Sequence, residues 1–251
     1  MVRIKSKEQI NSIARSGRII GEIFHQIRSQ IKAGVTTSQL NKWIGDFIRR
    51  KGAKSAFKGY RGYPAEACIS VNEEVVHGIP SNRRLKEGDI VSIDVGVNLN
   101  GYYADAAMTF PVGIVSQEKQ RLIRVTREAL YEGIKQAKVG NRVGDISFTI
   151  QSYVEKHGYS VVKTLFGHGV GEALHEDPII PNFGQPGEGE RLREGMVLAI
   201  EPMVNEGGEE VRVSSDGWTV VTVDGSPSAH FEHSIAIING KARILTEIRK
   251  I

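Results

Sequence analysis

Leu85-Lys86-Glu87-Gly88-Asp89-Ile90-Val91-Ser92-Ile93-Asp94 is echoed 107 residues later by Leu192-Arg193-Glu194-Gly195-Met196-Val197-Leu198-Ala199-Ile200-Glu201. Each copy is a glycine-led turn, then an apolar β-prone run, then a carboxylate. Working outward, a similar spacing joins two pairs of helical patterns. Gly34 and Gly140, Leu40 and Ile146, Ile44 and Ile150, Ile48 and Val154, and Gly52 and Gly158 all lie 106 residues apart. One such match is chance; a collinear series points to a duplicated unit.

The expected architecture is α/β (α+β), a single domain over 1–251 with pseudo-symmetric halves at about 1–106 and 119–251. Each half holds two helices and a largely antiparallel curved sheet. An approximate twofold axis relates the halves, with Asp94 and Glu201 facing each other across it and 107–118 as the crossover. Ser6-Lys7-Glu8-Gln9 reads as a capping box. Ile10, Ile13, Ile20, Phe24, Ile27 and Ile31 follow at helical spacing up to Gly34. Thr37 reads as the cap of a second helix ending at Gly52. The matching helices run from about Ser116 to before Gly140, and through Ile146, Ile150 and Val154 to Gly158.

The carboxylates sit where carboxylates are costly. Asp94 is expected to end its apolar strand, and burying it unpaired is unfavourable. Asn100-Gly101 is a hairpin-turn signal. If these two residues form the loop, Asp94 opposes Ala107 and Asp105 opposes Gly96, so both aspartates point to one face. Two anions there repel, and a cation between them resolves the conflict. His168 lies in Phe166-Gly167-His168-Gly169-Val170-Gly171, a strand or loop rather than a helix, with His175 seven residues on. Glu201 closes the run Met196–Ile200, and Glu232 interrupts the β-prone run Phe231–Ile238. Asp94, Asp105, His168, Glu201 and Glu232 form an oxygen-rich set. It favours two divalent ions such as manganese, iron(II) or cobalt over a closed structural zinc.

The bulk composition agrees with a globular chain. It is 251 residues long, 40% hydrophobic and 25% charged, enough for one large domain. The lone Cys68 excludes an internal disulfide and fits a reducing compartment. Residues 1–18 lack the apolar stretch of a secretory signal, and no later segment is apolar enough to span a bilayer, so a soluble cytoplasmic protein is expected. Net charge is +4, yet residues 1–61 carry 14 Lys or Arg against three acids. A solvated helix surface is the simpler reading of that excess, and transient contact with ribosomal RNA is the functional one.

The ordered set Asp94, Asp105, His168, Glu201, Glu232 resembles the metal ligands of the pita-bread metallopeptidases. Phe166-Gly-His-Gly-Val-Gly-Glu-Ala-Leu-His175 resembles the signature of type I methionine aminopeptidases. Val75-Val76-His77-Gly78-Ile79-Pro80, Tyr60-Arg61-Gly62-Tyr63-Pro64 and Ile200-Glu201-Pro202-Met203 are similar too. The resemblance runs from the first helix to the last strand.

It implies that Asp94 and Asp105 hold one metal, Asp105 and Glu232 bridge two, and His168 with Glu201 complete the other. The ions would be cobalt, manganese, iron(II), zinc or nickel. A metal-bridged hydroxide would attack the carbonyl after an initiator methionine of a nascent polypeptide whose second residue is small. His175 would contact the scissile peptide, His77 would meet substrate on the leaving side, and Glu201 would pass a proton to the leaving amine. Tyr60, Tyr63, Cys68 and Trp218 would line the methionine pocket. Phe57 and Leu174 depart from the usual bacterial pattern there. Glu74 departs beside a loop at Asn72 that would take a monovalent cation. A monomer without membrane attachment is implied.

Two rivals remain at this stage. One is an Xaa-Pro aminopeptidase or prolidase of the same fold, normally with an extra domain before the metal-binding core. The other is a non-enzymatic pita-bread binding module, which would have lost ligands that this chain keeps.

Overall fold

A computed structural model gives the fold and describes residues 2–247. Among the described residues four α-helices form where apolar periodicity and caps coincide: α1 (Lys7–Ile27), α2 (Thr37–Arg50), α3 (Gln117–Gln136) and α4 (Val143–Lys156). Before α3 come strands β1 (Lys54–Ser55), β2 (Cys68–Val71), β3 (Glu74–Val76), β4 (Ile90–Leu99) and β5 (Tyr102–Pro111). After α4 come β6 (Ser160–Val161), β7 (Phe166–Gly169), β8 (Glu176–Pro181), β9 (Val197–Ile200) and β10 (Met203–Asn205). The chain continues through β11 (Val211–Val213), β12 (Val220–Thr222), β13 (Ser228–His230), β14 (His233–Ile238) and β15 (Lys241–Ile244).

β4 is the spine of a four-stranded sheet, with β5 on one side and β1 and β2 on the other. A five-stranded sheet runs β15-β14-β9-β7-β8, and two three-stranded sheets run β13-β10-β6 and β11-β12-β3. Among the described residues these pairings are all antiparallel.

Burial holds these layers together. α1 lies on β4 and β5, with Ile13, Ile20, Ile23 and Ile27 fully enclosed. Each such side chain contributes about 1.5–3 kcal/mol relative to exposure. α3 and α4 pack on one another, and Leu122, Leu130, Ile146 and Ile150 enter a second core with Leu198, Ile200 and Ile235. The two large sheets meet where β5 passes the start of β14: Glu232 N–H donates to the Ala107 carbonyl at 2.9 Å, and the Ser234 hydroxyl donates to the Asp105 carbonyl at 2.8 Å.

Several expected boundaries move. α1 ends at Ile27 rather than Gly34, because a turn at 28–31 brings the Gly34 N–H to the Leu85 carbonyl. The cap of α2 is Thr36, not Thr37, in a capping box with Gln39; the Thr37 hydroxyl is engaged with the backbone of Ser81 instead. Asp94 sits mid-strand in β4 rather than at its end, because the hairpin runs on to Leu99. β5 continues to Pro111, so the link to α3 is shorter than 107–118. Glu232 occupies the break between β13 and β14 rather than interrupting one strand. Among the described residues no helix is long and apolar enough to cross a membrane.

Candidate metal centre

The β4–β5 hairpin sets two carboxylates side by side. Asn100 and Gly101 take φ of +55° and +85°, the left-handed backbone that a tight two-residue hairpin turn needs. The register that follows pairs Asp94 with Ala107 and Gly96 with Asp105, as the turn predicts. Both aspartates therefore leave one face of the sheet.

The five-stranded sheet and its flanks carry the other candidate ligands. His168 of β7 pairs with Ile179 of β8 and Ala199 of β9. A Cβ at Gly167 would run into the Ala199 carbonyl, and one at Gly169 into the Asp177 carbonyl. Glycine on both sides is what lets β7 lie this close to its neighbours. Glu201 follows β9 directly, and Glu232 precedes β14.

Donor atoms of Asp105, His168 and Glu232 all lie within 4.8 Å of one another. His168 Nε2 stands 3.4 Å from Asp105 Oδ2 and 3.5 Å from Glu201 Oε1. Its Nδ1 is 2.9 Å from the Gly169 carbonyl, which can only accept, so Nδ1 carries a proton and Nε2 faces the carboxylates. Asp105 is steadied by the Ser234 hydroxyl, 3.0 Å from Oδ1. Asp94 joins this group electrostatically: burial first, then Asp105 and Glu201, push its carboxyl well above the usual range. Glu232 is raised in the same way, by burial and then by Asp105, Glu201 and Asp94. Burial alone would depress His168, but the Asp105 and Glu201 carboxylates and the Gly169 carbonyl bring it up to about 9.

Asp94 Oδ1 and Glu232 Oε1 are buried without a hydrogen-bond partner. Unpartnered carboxylate oxygens crowded among other carboxylates are unfavourable unless a cation joins them. The donor set is rich in oxygen with a single imidazole, so the residues fit divalent metal ions.

All five of these residues line one cavity of about 190 Å³ together with His77, His175, Tyr60, Tyr63, Cys68 and Trp218. At one end, Tyr63 meets Trp218 edge-on at 5.2 Å, beside Cys68, Phe57 and Ile79. The Tyr63 hydroxyl donates to the Gly78 carbonyl, and burial raises its pKa, so it stays neutral. Asp216 holds the Trp218 loop by accepting the N–H groups of Trp218 and Thr219. At the other end, the His175 and His168 rings are 4.2 Å apart, and the Tyr60 hydroxyl is 2.7 Å from His175 Nδ1. Burial, then the charge of His168, lowers His175 to about 4. His77, at φ +59°, is also lowered, by burial first.

Four residues of functional interest escaped the sequence reading. His230, buried on β13, places Nε2 3.6 Å from Glu201 Oε2. Ser234 carries Asp105, and Arg61 lines the cavity mouth over the Tyr60 ring. The polar cluster His230-Phe-Glu-His-Ser234 inside an apolar run was the available signal for two of them. Lys5, read as part of a basic surface, is buried on Glu176. Asn72 lies outside this cavity. Its side chain donates to Asp89 and accepts from the Ile90 N–H and the Lys119 ammonium, and its carbonyl accepts the Ser228 N–H.

Residues 11–239 match metallopeptidase family M24. The methionine aminopeptidase of Clostridium perfringens is 50% identical, covering 99% of this chain and 100% of that protein. The crystal structure of methionine aminopeptidase from Thermotoga maritima superposes with a TM-score of 0.97 at 48% identity, covering 99% of this chain and 100% of that one. A prolidase from Pyrococcus furiosus shares the fold at a TM-score of 0.80, with 24% identity; this chain covers 66% of it and is itself covered over 98%.

Proposed function

From the premise that the chain belongs to metallopeptidase family M24, among its methionine aminopeptidases, we propose how its own residues carry out removal of an N-terminal methionine. The relatives' activity rather than the proline-directed one is taken over, because identity is about twice as high to the former. The observation that carries the site assignment is the pair of buried, unpartnered oxygens on Asp94 and Glu232.

Asp94, Asp105, His168, Glu201 and Glu232 would hold two divalent ions, with Asp105 and Glu232 shared between them. Cobalt, manganese and iron(II) fit the oxygen-rich donors, with zinc or nickel as further candidates. When bound, such ions supply Lewis acidity and an activated water at neutral pH. A monovalent cation would sit at the Asn72 loop.

The remaining residues bind, orient and move protons. The methionine side chain enters the slot of Tyr60, Tyr63, Cys68 and Trp218, where an unbranched thioether finds aromatic and soft apolar partners. Phe57 and Leu174 complete its wall. The free α-amine lies by Asp94. His175, neutral with a pKa of about 4, has Nδ1 2.7 Å from the Tyr60 hydroxyl; with that hydroxyl donating to Nδ1, the Nε2 proton is the one presented to the scissile carbonyl. His77 contacts the leaving side. Glu201 hands a proton to the departing amine. A small second residue is required of the substrate, which is a nascent polypeptide in the cytoplasm, so the reaction is a step of protein maturation.

The finer context belongs to the same reading. The chain works as one catalytic domain and as a monomer, and the lysine- and arginine-rich first 61 residues make transient, salt-sensitive contact with ribosomal RNA.

The test is hydrolysis of Met-Ala-Ser and Ala-Pro-Ala by chelator-stripped protein, before and after cobalt or manganese is added. Methionine release from the first peptide alone, and only with metal, is expected. Cleavage of Ala-Pro-Ala instead moves the chain to the proline-directed enzymes, and inactivity on both with no metal retained favours a binding module. His175→Ala should lower kcat by about 10²-fold with metal content unchanged.

A further inference from the structure

Glu176 follows His175 in sequence but forms its bonds outside the metal cavity. Its Oε1 accepts the backbone N–H groups of Glu172 at 2.8 Å and Ala173 at 3.1 Å, closing the turn that leads into His175. Its Oε2 accepts the Lys5 ammonium at 2.7 Å, and the two side chains are 6% and 1% exposed. Lys5 is anchored in turn, since its backbone N–H donates to the Gly195 carbonyl at 2.8 Å. The fit is close on both sides. A Cβ at Gly171 would come 2.5 Å from Lys5 Cε, and one at Gly195 would come 2.7 Å from Ile4 Cγ2.

We infer that the segment before α1 is a strap whose Lys5–Glu176 pair is a positioning device for His175. The inference rests on the catalytic role proposed for that histidine. The loop 171–175 has little structure of its own; Gly171 N–H to the Ala173 carbonyl at 3.1 Å is a turn bond within it. An imidazole that must meet a developing charge needs placement to within ~0.5 Å. The Glu176 carboxylate gives that loop two charge-assisted bonds, and Lys5 is the cation paired with it where both side chains are buried. Without Lys5 the buried carboxylate loses its ion-pair partner, and the turn it closes is loosened. Arg3 does not replace it: its side chain is 59% exposed and 3.7 Å from Glu172 and 4.0 Å from Glu176.

The experiment compares the full chain with K5M, K5R, E176Q and the doubly neutral K5M/E176Q. Amide hydrogen exchange is read at residues 172–175 without metal, and kcat and KM on Met-Ala-Ser with metal. In K5M the exchange at 172–175 should speed up at least tenfold, and kcat should fall about tenfold with KM and metal content within twofold of the parent. K5R should restore most of both. K5M/E176Q should lie closer to the parent than K5M does. Combining K5M with Y60F should cost less than the product of the single losses, since both act through His175. A lowered thermal midpoint with exchange at 172–175 and kcat unchanged would make the pair merely structural and overturn the inference. If K5M does not fold, E176Q gives the same reading, because it keeps an acceptor oxygen and removes the charge. A parent chain that releases no methionine would sink the catalytic reading, while the exchange arm would still decide whether the strap holds the loop.

Discussion

The β4–β5 hairpin and the stretch Phe166–Glu176 serve the same cavity, and they are held in place in opposite ways. Asp94 and Asp105 take their positions from neighbours in sequence: a two-residue turn at Asn100-Gly101 sets one register, and the register sets both side chains. His168 and His175 take theirs from remote groups, namely Ala199 beside β7, Tyr60 on the His175 ring, and Lys5 through Glu176. The two histidines stand 4.2 Å apart, yet one is raised to about 9 and the other lowered to about 4. The cause is which remote groups each meets: carboxylates for His168, desolvation within the cavity and a neighbouring imidazolium for His175. Local geometry fixes where the two aspartates are, and remote contacts fix where the two histidines are and what state they are in.

The largest break in this comparison falls on the hairpin. Asp105→Asn should cost on the order of 10³-fold in kcat/KM together with metal retention, since it removes a ligand shared by both proposed ions. The metal-free variant should melt no lower than the parent, because a repulsive buried carboxylate has gone. Calorimetry with and without metal, alongside metal analysis, checks both halves of the statement.

Glycine replacements sharpen the contrast between local and remote constraint. Gly167→Ala drives a methyl into the Ala199 carbonyl and should destabilise by about 3 kcal/mol. Gly101→Ala meets no neighbour and strains only a φ of +85°, so about 1 kcal/mol is expected. Urea unfolding of the two variants reads the difference directly. Equal costs would show that the two regions are not constrained differently.

Protonation separates the regions by pH. Asp94, Glu232 and His168 are all raised in the metal-free protein, so they hold protons that a bound cation must displace. Metal affinity should therefore weaken as pH falls, by about tenfold per pH unit for each proton displaced. Titration calorimetry in two buffers of different ionisation enthalpy counts the released protons, and a count of zero at pH 7 would contradict the assignment. His175 works with the opposite sign. Its folded pKa lies below the unfolded value, so it contributes stability that is present above about 6.5 and is lost as pH falls toward about 4.

The smallest effect is expected at the remote end. Tyr60→Phe deletes one hydrogen bond to His175 Nδ1 and should lower kcat by roughly three- to tenfold. The acid side of the activity profile should stay in place, because burial rather than the hydroxyl holds the His175 pKa down.

The legibility of the chain follows the same division. The helices were readable from capping residues and apolar spacing, and the hairpin pairing from Asn100-Gly101 alone. Boundaries failed where a distant partner intervened, as when the Leu85 carbonyl draws Gly34 out of α1 or the Ser81 backbone takes the Thr37 hydroxyl. The set of candidate ligands was proposed through family resemblance. His230, Ser234 and Lys5 were not, because each acts on a residue from another part of the chain.

The periodicities, the turn at Asn100-Gly101, the common face of Asp94 and Asp105, and the kinship with the methionine aminopeptidases are all written in the linear chain. Those features depend on residues adjacent in the chain or on an ordered set of motifs. It took the folded chain to show that Asp94 and Glu232 keep unpartnered oxygens, that two adjacent imidazoles have pKa values shifted in opposite directions, and that a buried lysine pairs with the carboxylate closing the turn beside His175. Burial and electrostatic neighbours are summed over space, and neither sum can be taken until the chain has folded.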